Sequence, residues 1–221
     1  MIWEFLKSIK RRSNGKTIGI LTERNEPMTE KEKAQKGLLY DANYDKELIE
    51  ERKRAKDLCY ELNHLRPSEE TAQREILFKL LGKTKGSFVI TPPFYCDYGY
   101  HIEIGERFYS NHNLIILDTA RVRFGNDVFI APNCCFSAAG HPLDVAQRNQ
   151  GLEFAYPIEV GNNVWIGAGV TVLPGVTIGD NTVVGAGSIV NKDLPSGVVA
   201  VGNPCKVLRE ITREDREKYL V

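Results

Sequence analysis

The second half of the chain repeats every six residues. Six consecutive hexapeptides each begin with an aliphatic residue, and glycine follows that residue in four of them. An α-helix would spread such residues around its circumference, and a flat strand would require a period of two. A period of six with turn residues predicts a coil of triangular section, with about 18 residues per turn around a narrow aliphatic core. The aliphatic openers are Val160, Ile166, Val172, Ile178, Val184 and Val190.

The same pattern extends toward the N-terminus, with one interruption. Hexapeptides that begin at Phe124, Ile130 and Phe136 repeat it before the pattern fails. Residues 141–157 are polar and irregular, and we interpret them as a loop that leaves the coil. We therefore predict a mainly β fold, a left-handed parallel β-helix of hexapeptide repeats over residues 87–212.

The region before the coils has the pattern of three helices. Thr29 and Glu32 have the spacing of a capping box, which predicts a helix start. Apolar residues at helical spacing predict a second helix over about residues 45–63 and a third over residues 68–81. Gly82 follows the third helix and is expected to be its C′ glycine.

These patterns divide the chain into four parts. Residues 1–27 match nothing that follows and form an extension of unknown role. Residues 28–86 are the helical region, and residues 87–212 are the β-helix, which we expect to be the catalytic domain. Residues 213–221 form a C-terminal tail, either helical or extended.

Composition excludes several classes of protein. The 29 Lys and Arg residues equal the 29 Asp and Glu residues, which gives no support for nucleic-acid binding. No apolar run approaches the roughly 20 residues that span a bilayer, so we expect no membrane association. The N-terminal MIWEFLKSIKRR is apolar and then basic, the reverse of a signal peptide. We expect a cytoplasmic protein with free thiols, because CxxC spacing is absent among Cys59, Cys96, Cys134, Cys135 and Cys205.

Six segments of the chain carry a resemblance to a known family. They are MTEKEKAQKGLLYDA (28–42), PPFYCDYG (92–99), NHNLIILD (111–118), GHPLD (140–144), IEVGNNVWIGAGVTVLPGVTIGDN (158–181) and GNPCKVLREI (202–211). The chain resembles the maltose and galactoside O-acetyltransferases over essentially everything but its first 27 residues. The resemblance implies transfer of an acetyl group from acetyl-CoA to a sugar hydroxyl, with no metal required.

The chemistry of that transfer identifies candidate catalytic residues. A positioned base that takes the hydroxyl proton is worth roughly 10²–10⁴-fold in rate. Histidine as a residue type can accept a proton near neutral pH. His141 lies where a coil gives way to the loop and matches the family's catalytic base. Asn111 matches a substrate-binding asparagine that orients the hydroxyl or donates to the oxyanion. Glu153, in the loop, is expected to stabilise the imidazolium of His141, and a solvated loop charge is the alternative.

Polar residues elsewhere match positions that contact the sugar in the family. They are Asp41, Asp97, Tyr109 and Asp118. A carboxylate suits a sugar because it accepts hydroxyl hydrogens in fixed geometry. The galactoside enzymes have a smaller hydroxyl residue in place of Asp97, so this position favours a maltose-type acceptor such as maltose or glucose. For each of the four, a turn or cap role remains the alternative.

Six residues match positions that bind acetyl-CoA in the family. Trp165 is expected on the outer face at a repeat corner, flanking the pantetheine arm, with small alanines along the same arm. Basic residues are expected at the phosphates, which arginine and lysine hold well; surface solubility is their alternative role. The six are Trp165, Ala168, Ala186, Lys192, Lys206 and Arg209.

Other readings remain open beside direct transfer. A covalent route through Cys134 or Cys135 is chemically feasible, although neither has a basic neighbour in sequence. A metal-dependent carbonic anhydrase with hexapeptide coils would need three histidines around one metal, and His101, His112 and His141 do not have the expected spacing. A catalytically silent scaffold and another hydroxylated or amino acceptor are further alternatives.

The resemblance also implies a homotrimer with active sites between subunits.

Overall fold

The computed structural model describes residues 27–218. The extension predicted over residues 1–27 therefore lies outside the described residues, apart from Pro27. The helices of the described range are α1 (Glu30–Gln35), α2 (Lys46–His64), α3 (Glu70–Leu80), α4 (Val145–Asn149) and α5 (Arg213–Glu217).

Short strands make up most of the remaining described chain. They are β1 (Tyr40–Asp41), β2 (Lys83–Thr84), β3 (Phe88–Ile90), β4 (Phe94–Cys96), β5 (Ile102–Ile104), β6 (Phe108–Ser110), β7 (Leu114–Leu117), β8 (Val122–Phe124), β9 (Phe129–Ile130), β10 (Cys135–Ser137), β11 (Ala139–Gly140), β12 (Leu152–Ala155), β13 (Ile158–Val160), β14 (Trp165–Ile166), β15 (Thr171–Val172), β16 (Thr177–Ile178), β17 (Val183–Val184), β18 (Ile189–Val190), β19 (Val198–Val201) and β20 (Lys206–Glu210).

Successive coils of the chain build three long sheets within residues 27–218. The first sheet contains β2, β5, β8, β13 and β16, and the third contains β4, β7, β10, β15 and β18. The second sheet contains β3, β6, β9, β14, β17, β19 and β20. Each coil passes through the first, second and third sheets in turn. All strand pairs in these three sheets are parallel except β19 with β20. The predicted left-handed parallel β-helix is confirmed.

The hexapeptide pattern describes the core of this β-helix. All six aliphatic openers are at most 3% exposed. The residue two places before an opener also points inward, which the pattern of openers alone did not indicate; examples are Val164, Val170 and Val176. Two inward residues per strand fill the triangular interior, and their contacts with the coils above and below make it continuous.

The spacing between stacked strands changes along the chain. Partners are 20 residues apart in the early coils, as in Phe88 with Phe108, and 18 apart later, as in Trp165 with Val183. The longer early coils explain why a strict six-residue period is hard to see before Phe124. Corner residues tolerate the left-handed conformation: Asn163 and the stacked Asn181 have φ of 55° and 56°.

The helical region caps the open end of the β-helix. The capping box predicted at α1 is confirmed, because Glu32 N donates to Thr29 Oγ1 at 3.1 Å and Thr29 N donates to Glu32 Oε2 at 2.9 Å. Helix α2 begins after Asp45, whose side chain accepts from Leu48 N. The buried face of α2 packs against β4 and joins the main core.

Three details of the predicted helical region were wrong. Helix α3 begins at Glu70 rather than at residue 68, with Glu69 at its N-cap. Gly82 is not a left-handed C′ residue, because the chain is already extended at Leu81 (ψ 143°). Glycine is needed at position 82 for close approach, since a Cβ there would overlap the Tyr100 carbonyl oxygen. The first coil also starts earlier than residue 87, since β2 already pairs with β5.

Membrane-spanning elements were sought among the helices. No helix within residues 27–218 is long and apolar enough to cross a bilayer.

Replacing a core opener is expected to weaken the β-helix. Ile166 is fully buried, so Ile166→Ala should lower the free energy of unfolding by about 2–5 kcal/mol through lost contacts and a cavity. Ile49 on α2, at 37% exposure, is the matched control, and Ile49→Ala should cost about 1 kcal/mol or less. Urea unfolding at one fixed protein concentration measures both, and equal losses would contradict a core role for the openers.

Candidate active site

The segment predicted as an irregular loop is ordered. It forms α4 and β12, and β12 pairs antiparallel with β11 on one side and β1 on the other. In this small sheet Gly140 lies opposite Phe154, and Tyr40 lies opposite Glu153. The loop prediction was wrong in this respect, because the strand partner β1 comes from a distant part of the chain. The pairing fixes Glu153 and the start of the segment at His141 relative to each other.

His141 lies at the surface beside this small sheet. Its Nδ1 lies 3.0 Å from the Leu152 carbonyl oxygen, which can only accept a hydrogen bond. Nδ1 of the neutral ring therefore carries the proton, and Nε2 is left with its lone pair. Nε2 lies 3.9 Å from Glu153 Oε1, and the His141 side chain is 51% exposed. The ring is thus oriented with its basic nitrogen accessible and a carboxylate nearby.

Glu153 is held in turn by a buried tyrosine. The Tyr40 hydroxyl donates to Glu153 Oε2 at 3.0 Å, and Tyr40 is 1% exposed. Burial and the negative charge of Glu153 raise the pKa of Tyr40, so the hydroxyl keeps its proton and remains a donor. Sequence reasoning missed Tyr40 as a site residue. The available signal was its place beside Asp41 in a segment that matches the family.

Asp118 lies behind the surface rather than on it. It is fully buried, and its carboxylate accepts the backbone N–H groups of Asp97 (3.0 Å), Tyr98 (2.9 Å) and His101 (3.3 Å). Burial and then the charge of Asp97 raise the pKa of Asp118 to about 6. This placement suits a residue that holds the turn after β4, instead of the sugar contact expected from the sequence.

Asp97 and Asp41 are the other two carboxylates among the predicted sugar contacts. Asp97 follows β4, and burial and then the charge of Glu153 raise its pKa. Asp41 lies in β1, opposite Leu152. One Asp41 oxygen caps a turn by accepting from Asn43 N and Tyr44 N, so the cap role is present.

The predicted site residues fall on two different edges of the triangular β-helix. Asp97 and Lys192 follow strands of the third sheet, on the edge that leads to the first sheet. His141 lies at the same edge, four residues after β10 of that sheet and directly after β11. Asn111 follows β6, on the edge between the second and third sheets. Ala168 and Ala186 lie on this edge between the second and third sheets, hereafter the second edge. They are stacked in successive coils, with Gly187 N donating to Ala168 O at 2.8 Å. Lys192, on the other edge, is exposed.

Asn111 is oriented by its own backbone. Its Oδ1 accepts from His112 N at 2.7 Å, which restrains the side-chain amide. One chain does not bring Asn111 and His141 to the same edge.

Aromatic residues line the outer face of the second sheet. Tyr109, Phe129 and Trp165 are register neighbours on adjacent strands and are 37%, 52% and 56% exposed. Trp165 is therefore on the outer face as predicted, but it lies within strand β14 and not at a corner, which corrects that detail. The corner position is two residues further on, because the strand continues through the buried opener Ile166.

The predicted basic residues near the C-terminus differ in their surroundings. Lys206 opens β20 and is exposed. Arg209, also in β20, makes two hydrogen bonds of 2.7 Å to the carboxylate of Asp215. A phosphate at Arg209 would have to share the guanidinium with Asp215, so the structure offers less support for Arg209 than for Lys206.

The cysteines and histidines bear on the other mechanisms. Cys134 is fully buried, its Sγ lies near the carbonyl oxygens of Ala131 and Gly167, and burial raises the pKa of its thiol. Burial also raises the pKa of Cys135, so neither thiol is disposed to act as a thiolate. Within residues 27–218, no group of three His, Cys, Asp or Glu side chains has the geometry of a metal site.

Two protein-family models match the chain, one over the helical region and one over the coils of the β-helix. The model of the maltose acetyltransferase hexapeptide capping motif matches residues 33–86, and that of the bacterial transferase hexapeptide, with six repeats, matches residues 157–192. The galactoside O-acetyltransferase of Escherichia coli K12 is 48% identical over 88% of this chain and 95% of its own length.

Two solved structures share the fold along nearly the whole described chain. A galactoside acetyltransferase in complex with coenzyme A superposes with a TM-score of 0.84 at 44% identity, covering 88% of this chain and 97% of that one. A maltose O-acetyltransferase from Clostridium difficile 630 superposes with a TM-score of 0.81 at 44% identity, covering 84% and 99%. The fold and these matches define a hexapeptide-repeat acyltransferase. The chain belongs to the maltose and galactoside O-acetyltransferase family.

Removing an acceptor oxygen from Asp118 is expected to destabilise the turn that carries Asp97. In Asp118→Asn, one of the two oxygens becomes an NH₂ group that faces a backbone N–H, which should cost about 1–3 kcal/mol of unfolding free energy. Asp127→Asn is the control, since Asp127 pairs with Arg107 at the surface and should change stability little. Thermal melts at one concentration compare them, and an unchanged Asp118→Asn would contradict the supporting role.

Proposed function

We propose that this acyltransferase moves the acetyl group of acetyl-CoA directly to a hydroxyl of a maltose- or glucose-type sugar, with His141 as general base. The observation that carries the proposal is the chain of contacts from Tyr40 through Glu153 to His141 Nε2. It leaves one ring nitrogen basic, accessible and next to a carboxylate. These are the requirements of a base that becomes a cation during the reaction.

The proton and the acyl group move in a balanced sequence. The sugar oxygen attacks the thioester carbonyl carbon while its proton passes to His141 Nε2. The resulting imidazolium is stabilised by Glu153 at close range. Collapse of the tetrahedral intermediate breaks the carbon–sulfur bond, and the proton on Nε2 passes to the leaving sulfur. The products are the O-acetyl sugar and the free thiol of coenzyme A.

Acetyl-CoA is proposed as the donor, and its arm as lying along the second edge. The similar galactoside acetyltransferase was solved with coenzyme A, and the exposed Trp165 and the small Ala168 and Ala186 line this part of the chain. Asn111 shares the same edge, and the Nδ2 group of its amide is a donor that suits the oxyanion or the acceptor hydroxyl. The phosphates of coenzyme A are proposed to contact Lys192, Lys206 and Arg209.

The separation of the two edges supports active sites between subunits of a homotrimer. His141 and Asp97 would come from one chain, and Asn111 and Trp165 from its neighbour. The exposed aromatic row on the second sheet is an apolar surface of the kind that contacts a partner or a ligand.

The acceptor is proposed to contact carboxylates near His141. Asp97, on the same edge as His141, and Asp41, opposite Leu152, would accept sugar hydroxyls. Tyr109 would reach the acceptor from the neighbouring chain, and Asp118 would act through the turn it holds. Another hydroxylated or amino acceptor is the alternative. A cytoplasmic location is kept as a proposal, since all five cysteines are free thiols, as expected in a reducing compartment.

Loss of the base should abolish most of the activity. We expect His141→Ala to lower kcat for sugar-dependent release of thiol from acetyl-CoA by roughly 10²–10⁴-fold. The assay follows thiol release with maltose, glucose and a galactoside, and product analysis locates the acetyl group. Leu143→Ala, at a 94% exposed position of the same segment, is the control and should retain activity. Undiminished release by His141→Ala would exclude His141 as the base.

Mixing two inactive variants tests whether sites lie between subunits. Chains carrying Asn111→Ala and chains carrying His141→Ala, coexpressed in equal amounts, should regain about a quarter of wild-type activity, since a quarter of the sites combine the intact halves. Activity of the purified mixed oligomer is the measurement.

A second pair of variants is the matched control. His141→Ala mixed with Glu153→Ala should regain nothing, because these two residues are held in one chain. Rescue by both pairs, or by neither, would contradict the shared site.

A further inference from the structure

A groove of about 440 Å³ lies between α2 and the outer face of the third sheet. One wall consists of Lys56, Tyr60 and His64, which follow each other at intervals of four along α2 and so share one helix face. The Tyr60 and His64 rings stack, with centroids 4.0 Å apart and planes inclined by 31°. Both residues line the groove.

The opposite wall comes from the β-helix. Tyr95, on β4, is 50% exposed, and Leu117, on the neighbouring strand β7, also lines the groove. The floor is formed by Cys59 and Cys96, whose sulfur atoms are 3.7 Å apart and buried. The groove is thus flanked by aromatic rings, closed below by apolar atoms, and within the size range of small-molecule sites.

One end of the groove reaches the candidate active site. Asp97 lines the groove and lies directly after β4, on the same edge of the β-helix as His141. Lys56 is a charged residue on the helix side of the groove, and its positive charge acts to lower the pKa of Asp97. A ligand held by Asp97 can therefore extend into the groove while its reacting hydroxyl stays near His141.

From this continuity we infer that the groove is a second subsite, which holds the second sugar ring of a disaccharide acceptor. The inference rests on the proposed function. A pyranose ring has an apolar C–H face that packs on tyrosine and polar hydroxyls around its rim. Tyr60 and Tyr95 supply exposed aromatic surface on the two walls, and Asp97 and Lys56 supply an acceptor and a donor at the rim.

The test compares acceptors of different length. For wild type, kcat/KM for maltose should exceed that for glucose and for methyl glucoside, which lacks the second ring. Tyr60→Ala and Tyr95→Ala should each lower the maltose-to-glucose ratio of kcat/KM by about 3- to 10-fold, the usual worth of one aromatic contact. Tyr60→Phe, which keeps the ring face, should preserve the ratio.

Glu61→Ala on α2, which lies outside the groove lining, is the matched control and should leave the ratio unchanged. Equal kcat/KM for maltose and methyl glucoside, or ratios that both Tyr→Ala variants leave unchanged, would overturn the second subsite while sugar acetylation stands. An absence of acetylation with every sugar would instead overturn the proposed function itself. Folding of each variant is checked by its thermal melt.

Discussion

The hydrogen-bonded register between successive coils is the constraint on which the rest of the structure depends. Backbone N–H groups of one coil donate to carbonyl oxygens of the next, as from Trp165 to Thr182 at 3.0 Å and from Thr171 to Ser188 at 2.9 Å. Each coil must therefore return directly above the previous one. Side chains at equal positions then form rows along the axis, which gives a continuous core inside and straight edges outside.

This constraint also determines where a catalytic segment can be inserted. Strands β10 and β15 pair directly although Cys135 and Thr171 are 36 residues apart, twice the spacing of the later coils. The extra segment leaves at a corner and returns to the same register, so the core is uninterrupted. Antiparallel pairing of β12 with β1 then ties the segment to the helical region, and this second attachment orients Glu153 toward His141.

Local sequence patterns predicted what depends on local repetition. The openers from Val160 to Val190 predict the coil because each makes the same contacts in successive repeats. The capping box was predictable because Thr29 and Glu32 are only three residues apart. Tyr40 and Glu153 are 113 residues apart, and nothing near either residue encodes their hydrogen bond. The burial of Asp118 and the close approach at Gly82 likewise depend on which turn packs against them. The position of His141 was predictable, whereas its orientation was not.

The direction of the last strand limits how long the β-helix can be. Strand β20 runs antiparallel on β19 and occupies the hydrogen-bonding edge that a further coil in the second sheet would use. An added repeat would thus have to displace this strand before it could pair. The number of coils is consequently set by the termini rather than by the repeat sequence. Lengthening by duplication, which repetition otherwise makes easy, would have to occur in the interior of the β-helix.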